Sequence, residues 1–162
     1  MKLENQELVW YNRITIFHHA HYLCSKKYKQ RHYTLGLPSV SLAAISGTAI
    51  FASLESSEDA LWKIIAGALA LTAAILSALV TFLSYKERSD AHHKAGALYG
   101  NLRADIEYFA KFGEEAKEAD FWKTIITKWN KYDTECPLIP NTIYEKARNE
   151  VTAFRKRSIS LP

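Results

Sequence analysis

The sequence predicts an all-α integral membrane protein, a hairpin of two transmembrane helices joined to a small cytoplasmic helical bundle. Three observations carry this prediction. The stretches Leu35–Leu54 (LGLPSVSLAAISGTAIFASL) and Ile64–Tyr85 (IIAGALALTAAILSALVTFLSY) contain no charged residue. Each holds about 20 residues, which at ~1.5 Å per residue matches a hydrocarbon core ~30 Å thick. The remaining chain is amphipathic at helical spacing, without a strand pattern or a repeat.

A soluble reading meets a physical obstacle. Charged residues make up 23% of the 162 residues, as in a soluble protein, but they are segregated from the two apolar runs. Two adjacent helices that are apolar on every face need a shell of other elements to cover them in water. The rest of the chain is too short and too polar to supply that shell. A cleavable signal peptide does not fit either, because some thirty residues containing Glu4, Glu7 and a basic cluster precede the first run.

Residues 4–31 are expected to form a helix, with Trp10, Ile14 and Phe17 at helical spacing and Val9, Ile16 and Leu23 on an adjoining stripe. Gly36 and Pro38 are expected to end it where the first span, about 35–54, begins. A short connection, Glu55–Lys63, leads to the second span, about 64–85. Nothing breaks the helical pattern from Leu61 to about Phe112, so one long helix is expected there. Its stripe beyond the apolar run is Ala91, Ala95, Leu98, Leu102 and Phe109, with Tyr99 and Ile106 beside it. A charged turn, Gly113–Glu118, precedes an amphipathic helix carrying Phe121, Ile125, Trp129 and Tyr132. Pro137 and Pro140 end it. A last helix is expected from Asn141 or Thr142, where Thr142 and Glu145 suit a capping box.

Orientation follows from basic residues. Lys26, Lys27, Lys29 and Arg31 precede the first span, and Lys86 and Arg88 follow the second, whereas the connection holds three acids and one lysine. By the positive-inside rule both termini are cytoplasmic and the acidic connection faces outward. Trp62, Tyr33 and Tyr85 suit the interface layer. The net charge of +4 is then an inner-leaflet feature attracted to anionic lipid. Direct nucleic-acid binding is not expected, since aromatic and basic residues do not interleave in a recognisable motif. Cys24 and Cys136 both fall on the expected cytoplasmic side, where thiols stay reduced.

Small residues recur within the spans. Ala66, Ala70, Ala74 and Ala78 lie four apart in the second, as do Ser39, Ala43 and Gly47 in the first. Such rows let helix backbones approach closely where lipid removes the hydrophobic driving force, and they are expected to pack within the hairpin or between subunits. Ser39, Ser46 and Ser53 lie a heptad apart, with Ser77, Thr81 and Ser84 at spacings of four and three in the second span. Ser46, Ser53, Ser77 and Thr81 are candidates to line an aqueous path in an oligomer, against the plainer reading that they bond back to their own helix carbonyls. Neither run contains a charge, which argues against a pump or proton relay. His18, His19, His21, His92 and His93 lack the cysteine or carboxylate spacing typical of zinc, so no metal or other cofactor is expected. No phosphate loop, nucleophile elbow or carboxylate pair is present, and no enzymatic activity is expected.

The two spans and the sequence after them resemble the SLATT family, two-transmembrane effector domains found beside SMODS nucleotidyltransferases and SLOG sensors in bacterial conflict systems. The matching pieces are Leu35–Pro38, Gly47–Phe51, Phe82, Tyr85 with Glu87 and Arg88, His92, Ala95 with Gly96, Tyr99, Leu102 with Arg103, and Glu107. Trp10, Arg13, His18 and Ala20 fit the family's first helix. The resemblance covers about residues 10–110, so 1–112 reads as the family's core and 113–162 as a C-terminal cytoplasmic extension. It implies a multi-pass effector of the bacterial inner membrane that forms a homo-oligomer and permeabilises the bilayer during phage infection. It also implies a separate sensor protein, such as a nucleotidyltransferase, a SLOG-type protein or a reverse transcriptase system, or a nucleotide signal acting on the bundle. The alternative is a membrane-anchored adaptor that positions a cytoplasmic partner without forming a pore.

Overall fold

The computed structural model describes the backbone of residues 5–55, 60–114 and 117–160, with side chains at 6–48, 60–114 and 117–157. Every regular element among these is a helix: α1 (Asn5–Glu55), α2 (Ala60–Leu83), α3 (Tyr85–Phe112), α4 (Glu118–Glu135) and α5 (Asn141–Ser160). Two compact units result. One is Lys27–Arg88, and the other is assembled from Met1–Lys26 with Ser89–Pro162.

Two helix boundaries differ from those expected. Gly36 and Pro38 do not end the first helix, because α1 runs unbroken for 51 residues with Pro38 inside it. Proline has a helical φ, so its penalty is one lost bond and a ring clash, about 3 kcal/mol or more. Stopping the helix here would orphan several carbonyls and N–H groups beside an apolar run, a larger loss. The Thr34 and Ser41 hydroxyls flanking the proline donate to Gln30 O and Leu37 O, each at 2.9 Å.

The single helix expected from Leu61 to Phe112 is instead divided at Ser84, whose φ is 45°. A left-handed non-glycine residue costs about 1–3 kcal/mol. The Ser84 hydroxyl partly offsets this by donating to Thr81 O at 3.2 Å, and Ser84 O accepts from the Arg88 N–H at 3.1 Å, which restarts the ladder.

Among the described residues, one helical stretch, Ala60–Phe112, is long and apolar enough to cross a membrane. The first apolar run reaches into residues 49–54, whose side chains lie outside the described set, as do Glu55, Glu58 and Asp59 of the connection.

The core of the discontinuous unit joins α1, α3 and α4 through Ile14, Tyr99, Leu102, Ile106, Trp122, Ile125 and Trp129. Helix α5 adds Ile143 and the fully buried Ala147. Burying each Ile or Leu side chain contributes about 1.5–3 kcal/mol. The buried face of α3 is centred on Tyr99 and Ile106, one position round from the expected stripe. Ala91 is exposed and Leu98 half-buried. The reason is aromatic: Tyr99 lies between Phe17 and His21, stacked on both at 5.3 and 5.4 Å. Phe109, at the edge, stacks on Phe121 at 4.0 Å.

Helix α4 ends where Cys136 turns extended before Pro137. Helix α5 begins at Asn141, with Pro140 O accepting from the Ile143 and Tyr144 N–H groups. Glu145 faces forward to Arg148 at 3.3 Å, so its carboxylate is turned along the helix and away from a capping box.

Candidate functional site

In the Lys27–Arg88 unit, α1 and α2 run antiparallel. Ser39 Oγ donates to Ala73 O at 3.2 Å, and Tyr28 stacks on Tyr85 at 6.1 Å. Burial there is inverted relative to a protein built for water. Ser39, Ser46, Ala66 and Ala73 are at most 6% exposed, whereas Val40, Ile64, Leu71 and Phe82 are 64% to 84% exposed. The small and hydroxylated residues hold the helices together while the large apolar ones face outward. The buried positions lie seven apart on each helix, 39 and 46 against 66 and 73, the spacing of shallow-angle left-handed packing.

The expected packing residues divide accordingly. Ser39 and Ala66 are buried, Gly47 and Ala70 half-buried, and Ala43, Ala74 and Ala78 exposed. Ala73 was not singled out by the four-residue row, but the heptad of serines opposite could have found it. Among the hydroxyls, Ser46 donates to Ala43 O at 3.0 Å and Thr81 to Ser77 O at 3.0 Å, each within its own helix. Ser77 is exposed, and the Ser53 side chain lies outside the described residues. Between the helices a shallow depression of about 430 Å³ is lined by Ser39, Ala43, Gly47, Ala70, Ala74 and Ser77, among others. A Cβ built on Gly47 would meet nothing within 4 Å.

In the other unit, His18 of α1 and His92 and Gly96 of α3, singled out in the sequence by resemblance, lie at one helix contact. His18 Nδ1–H donates to Gly96 O at 2.8 Å, which leaves Nε2 as the ring's acceptor. A Cβ at Gly100 would stand 2.8 Å from the His18 ring, and one at Gly96 would stand 3.1 Å from Tyr22. The glycines four apart on α3 therefore seat two aromatic rings four apart on α1. This pairing needs both helices in hand, and only Gly96 stood out in the sequence. His92 meets His21, Nδ1 to Nδ1, at 2.9 Å. One turn further, Ser89 Oγ donates to Ser25 O at 3.0 Å.

Other residues that carry the resemblance make separate contacts or none across helices. Arg103 Nε lies 3.2 Å from Glu107, whose carboxylate also accepts from the Tyr11 hydroxyl at 2.6 Å. The Arg13 guanidinium sits 5.0 Å over the Trp129 ring. Tyr99 reaches Asp133 at 3.4 Å. Glu87 and Arg88 are exposed.

Electrostatics in this contact favour neutral imidazoles. Burial, and then the neighbouring His92 and His18, pull His21 down to about 4. Burial also lowers His92 and His18. Tyr99 is raised, by burial first and the Asp133 charge second. Such groups pack and hydrogen-bond rather than exchange protons near neutrality. Among the described residues, no three His, Cys, Asp or Glu side chains converge as metal ligands. Comparison of the chain with family models, with curated proteins and with solved structures finds no match.

Proposed function

We propose that this chain is a SLATT-type membrane effector of a bacterial conflict system, crossing the inner membrane twice with both termini in the cytoplasm. It assembles with copies of itself and depolarises the membrane when a separate sensor protein or a nucleotide signal acts on the bundle. The observation that carries the reading is the inverted burial of α1 and α2, with serine and alanine inside and Val40, Ile64, Leu71 and Phe82 outside. In water such a surface is a strong aggregation hazard. In lipid, where apolar side chains gain nothing by mutual burial, close backbone packing through small residues is the favourable arrangement.

Two helices cannot enclose an aqueous path, so permeation requires several hairpins. The open space at Gly47 and the depression lined by Ala43, Ala70 and Ala74 leave room for a neighbour's helix. Each charge crossing falls through about 2.3 kcal/mol per 100 mV, so even a narrow opening dissipates the potential.

The test has two parts. Reporter fusions at Pro162 and within Glu55–Lys63 are expected to give cytoplasmic and periplasmic signals respectively; a periplasmic C-terminus would refute the hairpin. A potential-sensitive dye then reports depolarisation in triggered cells. Gly47→Leu is expected to abolish it while membrane insertion persists, since leucine is well tolerated in lipid. The adaptor reading is favoured by a different observation, the exposed Tyr108, Phe112 and Leu138 of the bundle. Intact potential in triggered wild-type cells would transfer the assignment to it.

A further inference from the structure

At the Tyr85 end of the Lys27–Arg88 unit the charge is one-sided. Lys27, Lys29, Arg31, Lys86 and Arg88 face a single acid, Glu87, and among the described residues none of the five cations is in an ion pair. Two of them, Lys27 and Arg31, lie one turn apart on α1 and line a cavity of about 390 Å³ with Gln30, Thr34, Leu35 and Tyr85. The Arg31 guanidinium lies 5.9 Å over the Tyr85 ring, and Tyr28, also on α1, stacks on that ring at 6.1 Å. The exposed arginine thus has a ring beside it.

The lining is graded. Thr34 spends its hydroxyl on Gln30 O, so the donors left at one end are the Lys27 ammonium, the Arg31 fork and the Gln30 amide. Leu35 closes the other end, and the exposed Leu37 and Val40 continue the apolar surface along α1. Guanidinium and ammonium donors suit the two non-bridging oxygens of a phosphodiester. Leucine and valine beside them suit acyl chains. A free inorganic phosphate would use the first half alone.

We propose that this cavity is a binding site for one anionic glycerophospholipid of the inner leaflet, its phosphate held by Lys27 and Arg31 and its acyl chains laid along Leu35 and Leu37. The assignment rests on the membrane placement of the hairpin proposed above. The site fixes the depth of α1 in the bilayer, and it ties assembly of the hairpin to membranes rich in negative lipid.

The experiment uses the full chain reconstituted into bilayer nanodiscs containing equal amounts of phosphatidylglycerol and phosphatidylcholine. Native mass spectrometry then measures which lipid stays bound when the disc is removed. Wild type is expected to retain phosphatidylglycerol preferentially, by about fivefold per cation engaged. Lys27→Gln with Arg31→Gln is expected to bring the ratio close to one. Arg31→Lys keeps the charge but loses the fork and the ring contact, and is expected to fall between. Lys123→Gln on α4 removes the same charge elsewhere and is expected to leave the ratio unchanged. All three positions are exposed, so the variants retain the fold. Equal retention of both lipids by wild type would overturn the site, as would a preference that survives Lys27→Gln with Arg31→Gln or is equally reduced by Lys123→Gln. Displacement of the lipid by inorganic phosphate at millimolar concentration would replace the lipid with a phosphate ligand and overturn it too. A wild-type chain that does not enter the discs would instead refute the membrane placement, and the site with it. Absence of any lipid preference in a wild-type chain that inserts normally refutes the site alone.

Discussion

His21 on α1 and His92 on α3 face each other with Nδ1 atoms 2.9 Å apart, both almost fully buried. One nitrogen must donate and the other accept, so the contact exists only while at least one ring is neutral. His21 is held at about 4, below its ordinary 6.5, by burial first and by positive His92 and His18 next. The unfolded chain therefore binds protons that the folded one refuses. The stabilisation is fully present above pH 6.5 and is lost as pH falls from there toward 4. Thermal unfolding of the purified protein is expected to show a melting temperature that is steady from pH 8 to 7 and declines by several degrees toward pH 5. His21→Gln is expected to melt lower at pH 8 and with a shallower decline. An identical slope in the variant would remove this pair as the cause.

Glycine substitutions are expected to separate by position. Gly100→Ala places a methyl 2.8 Å from a His18 ring that is itself tied to Gly96 O, and overpacking of this kind costs about 1–3 kcal/mol. At Gly36 the same methyl meets nothing within 4 Å, and the helix gains up to about 1 kcal/mol in propensity. Denaturation in mild detergent should therefore find Gly100→Ala destabilised and Gly36→Ala unchanged or slightly more stable.

Core truncation follows the burial pattern. Ile106 is fully buried whereas Ile45 is 54% exposed. Ile106→Ala is expected to lose about 2–5 kcal/mol. Ile45→Ala should leave detergent-solubilised stability within about 0.5 kcal/mol, as surface changes usually do. Tryptophan fluorescence on urea titration reports both, through Trp122 and Trp129 in the same core.

Arg13 is exposed, yet its guanidinium covers Trp129 at 5.0 Å. Arg13→Gln is expected to cost about 0.5–1 kcal/mol through the lost cation–π contact. The Trp129 emission should shift with it. If stability is unaffected and the spectrum unchanged, the contact contributes nothing in solution.

Much of this architecture was legible in the sequence because it depends on local periodicity. The turn around Gly113, the amphipathic helix through Ile125 and Trp129, and the helix from Asn141 follow from spacing and breakers close in the chain. What escaped was decided elsewhere. Pro38 stands inside a helix because the cost of stopping outweighed the cost of one missing bond. Ser84 divides α2 from α3 although serine carries no breaker signal, since a side-chain bond to Thr81 O supports the left-handed residue. The face of α3 turned by one position because Tyr99 found Phe17 and His21, residues more than seventy positions away. The row of alanines was visible, but which of them touch α1 depended on Ser39 and its bond to Ala73. Likewise the seats for His18 and Tyr22 on Gly96 and Gly100 require the register of two distant helices.

The bundle is built from both sides of an insertion, Met1–Lys26 and Ser89–Pro162, and that imposes an order on biosynthesis. When Trp10, Ile14 and Phe17 leave the ribosome, the strip that will cover them has not been made. At about 5–20 residues per second, the chain from Lys27 to Arg88 takes about 3–12 s to translate, and α4 follows later still. For that interval the N-terminal segment is an unpartnered amphipathic helix, while the two apolar runs emerge one after the other. Translation through the hairpin therefore precedes closure of the bundle. A nascent chain arrested before Trp129 would expose its first helix to proteases and chaperones, and one released after Phe154 would not. The discontinuous unit thus acts as a completion check, one that only a chain translated through its hairpin can satisfy.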